Sequence, residues 1–161
     1  MRAARAATQS RDRPAPTTRA IVGGMRHNRC MDAYELQQRA AARADELPGA
    51  VLEHPFGPDA DVYKVHGKVF MLISALRGDG IVTLKSAPAD ANVLREAYAD
   101  IAPGYHMNKK HWITVSGGGA LEAELLDDLV TESYLLVVET LPKHARPVDP
   151  AQFGRRAEEV R

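Results

Sequence analysis

The residues best suited to chemistry stand together in one run, Pro103-Gly-Tyr-His-Met-Asn-Lys-Lys-His-Trp-Ile-Thr-Val115. Lys109 and Lys110 offer mobile point charges to phosphate oxygens, and Asn108 can donate and accept against a base edge or a backbone. His106 and His111 become cationic where a neighbouring phosphate raises their pKa. Trp112, the chain's single tryptophan, and Tyr105 can stack on an unpaired base if they are exposed. No acidic residue falls between Ile101 and Leu121, so the stretch is locally positive. This is the chemistry of a polyanion site. Lys64, Lys68, Lys85 and Lys143-His144 extend it if the fold brings those segments together.

Each of these residues also has a structural use. A tryptophan inside a β-branched run anchors a core more often than it stacks on a base. Paired lysines serve as a solvated turn or as guards on an exposed sheet edge. Asn108 can hold its own loop through backbone hydrogen bonds, and the two histidines can do the same.

Catalytic groupings are missing from the sequence. His27, His54, His66, His106, His111 and His144 show no His-Glu-x-x-His pattern, and one cysteine, Cys30, excludes Cys-x-x-Cys. No metal or cofactor is therefore expected. His106 and His111 are five apart, so on a single strand they would face opposite sides. Ser116-Gly-Gly-Gly119 before a helix could cradle an anion, yet it lacks the P-loop lysine and the dinucleotide glycine spacing. No nucleophile elbow occurs either. The expectation is a protein that is not an enzyme.

Charge divides the chain. Residues 1–30 hold seven arginines against Asp12 alone, a charge of +6, so the remainder of this neutral chain carries −6. The first part has almost no large apolar residue before Ile21-Val22, too little to offset the entropy of ordering, and is expected to be disordered. It reads as a transit-like leader, as a basic arm for phosphates, or as a plain extension. A domain at −6 repels duplex DNA overall, so binding must rest on a local patch or on this leader.

The rest, at 45% apolar residues over the whole chain, can build one core. No window approaches eighteen consecutive apolar residues, and the lone cysteine fits a reducing, cytoplasmic setting. Asp32-Ala-Tyr-Glu35 fits a capping box; Leu36, Ala40, Ala44 and Leu47 follow at helical spacing until Pro48-Gly49. Residues 61–65 and 68–74 flank His66-Gly67 and should pair as a hairpin. Arg77-Gly-Asp-Gly80 turns into a third strand ending at Lys85. A second helix, capped by Ser86 or Asp90 with Pro88 in its first turn, should bury Val93, Leu94, Ala97, Tyr98 and Ile101. Extended segments near 105–107 and at 112–115 follow. A last helix runs from about Leu121 through Leu125, Leu126, Leu129, Tyr134, Val137, Val138 and Leu141 to Pro142. A polar tail, 147–161, closes the chain and is expected to fray. The order α-β-β-β-α-β-β-α predicts a two-layer α+β fold, an antiparallel sheet with helices on one face, over residues 31–146.

Several stretches also carry a resemblance: Glu53-His-Pro-Phe-Gly-Pro58, Val62-Tyr-Lys-Val65 with Gly67-Lys-Val-Phe70, the strand ending in Lys85, Gly104-Tyr-His-Met-Asn-Lys-Lys-His-Trp112, Ser133-Tyr134 and Leu141-Pro-Lys143. Residues 31–144 thereby resemble the MmcQ/YjbR family, small domains described as DNA-binding with a topology shared with secretion chaperones. The resemblance implies the same element order and a DNA-binding role. Two departures stand out. Ser116-Gly-Gly-Gly119 occupies the place where the family often has an Asp-Gly turn, and the arginine-rich leader has no family counterpart.

The expected function is nucleic-acid binding, DNA above all, through Lys109, Lys110, Asn108, His111, His106, Trp112 and Lys85. The alternative is a protein-interaction module that pairs strands or dimerises through its sheet, with Phe56 of His54-Pro-Phe-Gly57 either packed in its loop or set on the surface. The expected state is a monomer or weak homodimer, with no membrane and no metal partner.

Overall fold

The computed structural model describes residues 31–105 and 107–153. Residues 1–30, the last eight of the expected tail, and His106 lie outside the described residues. The predicted disorder of the leader and the predicted fraying of 154–161 therefore concern segments with no structural description.

Helix α1 spans Ala33–Glu46 and begins as the capping pattern requires, with the Asp32 carboxylate accepting the Glu35 amide at 2.8 Å. Leu36, Ala40 and Ala44 form its buried stripe. Gly49, at φ +76, lets the chain reverse after Pro48. Strands β1 (Ala50–Glu53), β2 (Asp61–Val65), β3 (Lys68–Leu76) and β4 (Asp79–Lys85) then run antiparallel, each paired with the next. Two-residue turns join the last three. His66-Gly67 and Arg77-Gly78 all have positive φ, the geometry whose twist matches a right-handed hairpin. Helix α2 (Pro88–Ala97) leads to β5 (Ile101–Pro103), β6 (Trp112–Ser116) and helix α3 (Ala123–Glu139). The sheet order is β1-β2-β3-β4-β6-β5, an antiparallel six-stranded sheet with the helices on one face.

The core lies between that face and the helices. Tyr63, Met71, Val82, Leu84, Ile113 and Val115 meet Leu36, Ala40, Leu126, Val130, Tyr134 and Val137 there, all at most 3% exposed. Tyr134 stands at its centre, edge-on to Phe70 at 5.5 Å between ring centres, and its hydroxyl donates to the Pro48 carbonyl. The expected tail is anchored at its start, since Val148 and Phe153 pack against this cluster and the Phe153 ring lies 6.1 Å from that of Tyr134.

Four details differ from the sequence-based expectation. Strand β1 is an added edge strand, so four strands precede α2 rather than three. Of the segment expected to be extended at 105–107, Tyr105 stands in a turn and Met107 in a bend, and the strand lies earlier, at β5. Neither Ser86 nor Asp90 caps α2: Ala87 occupies the cap position with no side-chain bond, and Pro88 supplies the first turn. The expected stripe of α2 is only partly buried: Leu94 and Tyr98 pack half-buried against the core and Ile101 is buried in β5, whereas Val93 is 63% exposed and Ala97 exposed, because the helix packs chiefly on that short strand and buries Ala91 instead.

Ser116-Gly-Gly-Gly119 is a packing junction. A Cβ on Gly117 would come within 2.5 Å of the Ala33 backbone nitrogen, and one on Gly119 within 2 Å of the Asp100 carboxylate. Gly118 donates its amide to the Met31 carbonyl at 2.6 Å. With a carboxylate against Gly119, this loop repels the anion that its glycines suggest.

Candidate nucleic-acid interface

The cationic loop is built on the end of β4 and the start of β6. Leu84 and Ile113 point into the core as a directly opposed pair, so the next pair, Lys85 and Trp112, faces the other side of the sheet. Lys85 owes its position to a bulge. The β2–β3 register shifts between Tyr63 and Lys64, leaving Phe70 as the extra residue, and β3–β4 pairing begins at Met71 opposite Leu84. The Lys85 amide and the Phe70 carbonyl thus lack strand partners. Ser133 of α3, fully buried, serves both: its hydroxyl oxygen accepts from Lys85 N at 2.8 Å and donates to Phe70 O.

The loop itself is tied at both ends. Gly104 donates to the Trp112 carbonyl at 2.9 Å, and a Cβ on Gly104 would sit 2.5 Å from that of Trp112, so only glycine lets the chain pass so close. Tyr105 N donates to Thr114 Oγ1 at 2.8 Å. At the tip, Asn108 Oδ1 accepts the Lys110 amide at 3.0 Å, while its carbonyl accepts the amides of His111 and Trp112. The His111 carbonyl in turn accepts Ser86 N at 2.8 Å. Arg95 of α2 reaches across to the Lys109 carbonyl at 3.1 Å, its other arm held by Asn92.

The result is a fixed backbone with free side chains. Asn108, Lys109, Lys110 and His111 are exposed, and Lys85 and Trp112 are half-buried. Among the described residues no carboxylate forms an ion pair with Lys85, Lys109 or Lys110, whereas Arg39, Arg43 and Lys64 are paired with Asp127, Glu46 and Glu53. Topology sets further cations at the same end of the sheet. Lys68 opens β3 where β4 closes, and it donates to Thr140 at the end of α3; Lys143 and His144 follow directly. Lys64 drops out of the patch, since Glu53 holds it at 2.6 Å.

The sequence-based site set therefore divides. Lys85, Lys109, Lys110, His111 and Trp112 come together. Asn108 is placed with them but spends its carbonyl group on the loop, and His106 lies outside the described residues. Arg95 was not among the expected residues; its contact is with a main-chain carbonyl fourteen positions away, which no residue type reveals. No group of three or more His, Cys, Asp or Glu gathers to hold a metal among the described residues. No helix there is long and apolar enough to cross a membrane.

Comparison with known proteins places these features in context. Residues 45–136, from the end of α1 through most of α3, match the family model YjbR. The chain is 48% identical over 113 residues to the uncharacterized Escherichia coli O157:H7 protein YbdF, an alignment covering 70% of this chain and 93% of that one. It is 35% identical over 116 residues to the uncharacterized protein YjbR of Escherichia coli strain K12, covering 72% and 95%. A crystal structure of a Deinococcus radiodurans protein with a DUF419 domain superposes with a TM-score of 0.62 at 35% identity, over 72% of this chain and 86% of that one. A Pseudomonas syringae protein superposes with a TM-score of 0.53 at 28% identity, over 66% and 98%.

Proposed function

This chain belongs to the YjbR family, and from that premise we propose that it binds nucleic acid through the loop-strand Asn108–Trp112 with Lys85. The observation that carries this reading is the loop's construction. Its backbone is fixed by Asn108, Arg95 and Ser86 while Lys109, Lys110 and His111 project into solvent without carboxylate partners among the described residues. Such an arrangement presents charge with little backbone entropy left to lose on binding. Phosphate oxygens fit it best, because the groups offered are ammonium ions and an imidazole. Half-buried Trp112 flanks Lys85 and supplies an aromatic edge beside the charges.

The loop binds without catalysing in this reading, and Asn108 serves it by holding the tip through its side-chain oxygen. Lys68 and Lys143 lengthen the cationic end and favour a polyanion over a single phosphate. The test is residue-resolved. A short DNA duplex added to the full chain at low salt is expected to shift the amide NMR signals of Lys85 and of 108–112 first. Shifts confined to residues 1–30, or none at all, would remove the loop from the function.

A further inference from the structure

The helices cover one face of the sheet, and the cationic corner belongs to the other. Alternation from the core pair Leu84 and Ile113 puts Thr83, Lys85, Trp112 and Thr114 on this second face. Its middle is closed. Val62, Ile81, Thr83 and Thr114 are at most 3% exposed there, and the Tyr105 amide bonds back onto Thr114 Oγ1 at 2.8 Å. A protein partner finds little to hold in that middle. Phe56, 74% exposed on the surface rather than packed in its loop, lies beyond the opposite edge strand, β1. At the cationic corner the accessible apolar group is Trp112, which is half-buried.

The corner leaves one flank of the indole uncovered. Ser86 N donates to the His111 carbonyl at 2.8 Å, so those two residues form a hydrogen-bonded pair. Lys85 and Trp112, next along, are then the close, non-hydrogen-bonded kind, about 4.5 Å apart between Cα atoms. On its other side Trp112 stands opposite Gly104, which donates to its carbonyl and has no side chain to lay against the ring. The indole thus has a lysine on one flank and bare backbone on the other. Carboxylates keep away. The two that alternation puts on this face of the strands are Glu53 and Asp79. Glu53 is three strands from Lys85 and held by Lys64, and Asp79 opens β4 about 20 Å from Lys85 at its end.

We propose that this corner takes single-stranded DNA, with an unpaired base stacked on Trp112 and the flanking phosphates on Lys85, Lys109 and Lys110. The inference rests on the nucleic-acid reading above and names its ligand. A nucleotide offers a π-face and an anion side by side, and the close pair Trp112 and Lys85 offers the complement of both. A duplex can also meet the lysines. Its bases, however, are stacked on one another and show only their edges in the grooves, so a ring seated in a sheet reaches a base face only after that base is unstacked. A single strand presents its base faces without that cost. Stacking also tolerates any base, so the site is expected to hold a strand with little sequence preference.

Trp112 is the chain's single tryptophan, so the unaltered protein reports on the site. A short oligothymidylate and a duplex of equal length are each titrated into the full chain at low salt, followed by tryptophan emission and by anisotropy of a label on the DNA. The bound strand is expected to quench the indole strongly, and the bound duplex far less. Trp112→Leu should weaken the strand about tenfold and the duplex less than about twofold, whereas Lys109→Ala/Lys110→Ala should weaken both. Emission unchanged by a bound strand, equal quenching by the duplex, or a folded Trp112→Leu that loses both DNAs alike would each overturn the stacking site and leave the phosphate site standing. The emission measurement decides the matter even where the variant does not fold. Binding of neither DNA would instead overturn the nucleic-acid reading itself.

Discussion

The hydroxyl of Ser133 on α3 accepts the amide of Lys85 on β4 at 2.8 Å, and through that bond the core holds the cationic site. The same hydroxyl donates to the Phe70 carbonyl at the bulge, so one buried side chain closes two main-chain gaps. Replacing it with alanine leaves a buried donor and a buried acceptor unmet, at a cost of about 1–3 kcal/mol. Urea unfolding of Ser133→Ala should show that loss as a lower midpoint. Its duplex affinity should fall as well, because Lys85 loses its anchor. Unchanged stability would mean that the bulge closes without Ser133.

Alkaline stability follows from two buried phenols. Burial pushes the hydroxyl of Tyr134 up to about 12, and burial aided by Asp45 and Asp61 does the same for Tyr63. An unfolded tyrosine titrates near 10, so the folded state holds these protons longer. Their contribution is fully present below pH ~10 and is lost as pH rises toward 12. It is on the order of 2 kcal/mol for each ring. The midpoint of urea unfolding should fall between pH ~10 and ~12, and Tyr134→Phe should make that fall shallower. An identical pH dependence in the variant would show that Tyr134 ionises freely in the folded chain.

Much of this fold was legible because its signals are local. Leu36, Ala40 and Ala44 repeat at helical spacing behind a capping aspartate, and His66-Gly67 names its own turn. Strand β1 gave no such signal. Its four residues show no buried–exposed alternation, and its pairing with β2 sets it in place. Val93 misled for a related reason: apolar periodicity locates a face, but α2 finds only a short strand to bury it on. The three glycines after Ser116 suggested an anion cradle, whereas Gly117 and Gly119 serve close approach to α1 and Asp100. The site was half legible. Residue types marked Lys109 and Lys110, but bonds from Ser133 and Arg95 to main-chain atoms leave no trace in residue order.

The account's central claim is that Lys109 and Lys110 meet phosphate. Fluorescence anisotropy of a labelled duplex, titrated with the full chain across a salt series, measures it directly. Lys109→Ala/Lys110→Ala removes two exposed charges and should leave the fold intact. The expected result is about tenfold weaker binding at low salt, with the slope of log affinity against log salt reduced by about 2. Equal affinity and slope in the variant would contradict the claim and move any binding to the arginines of residues 1–30. Absence of binding at low salt would contradict it outright.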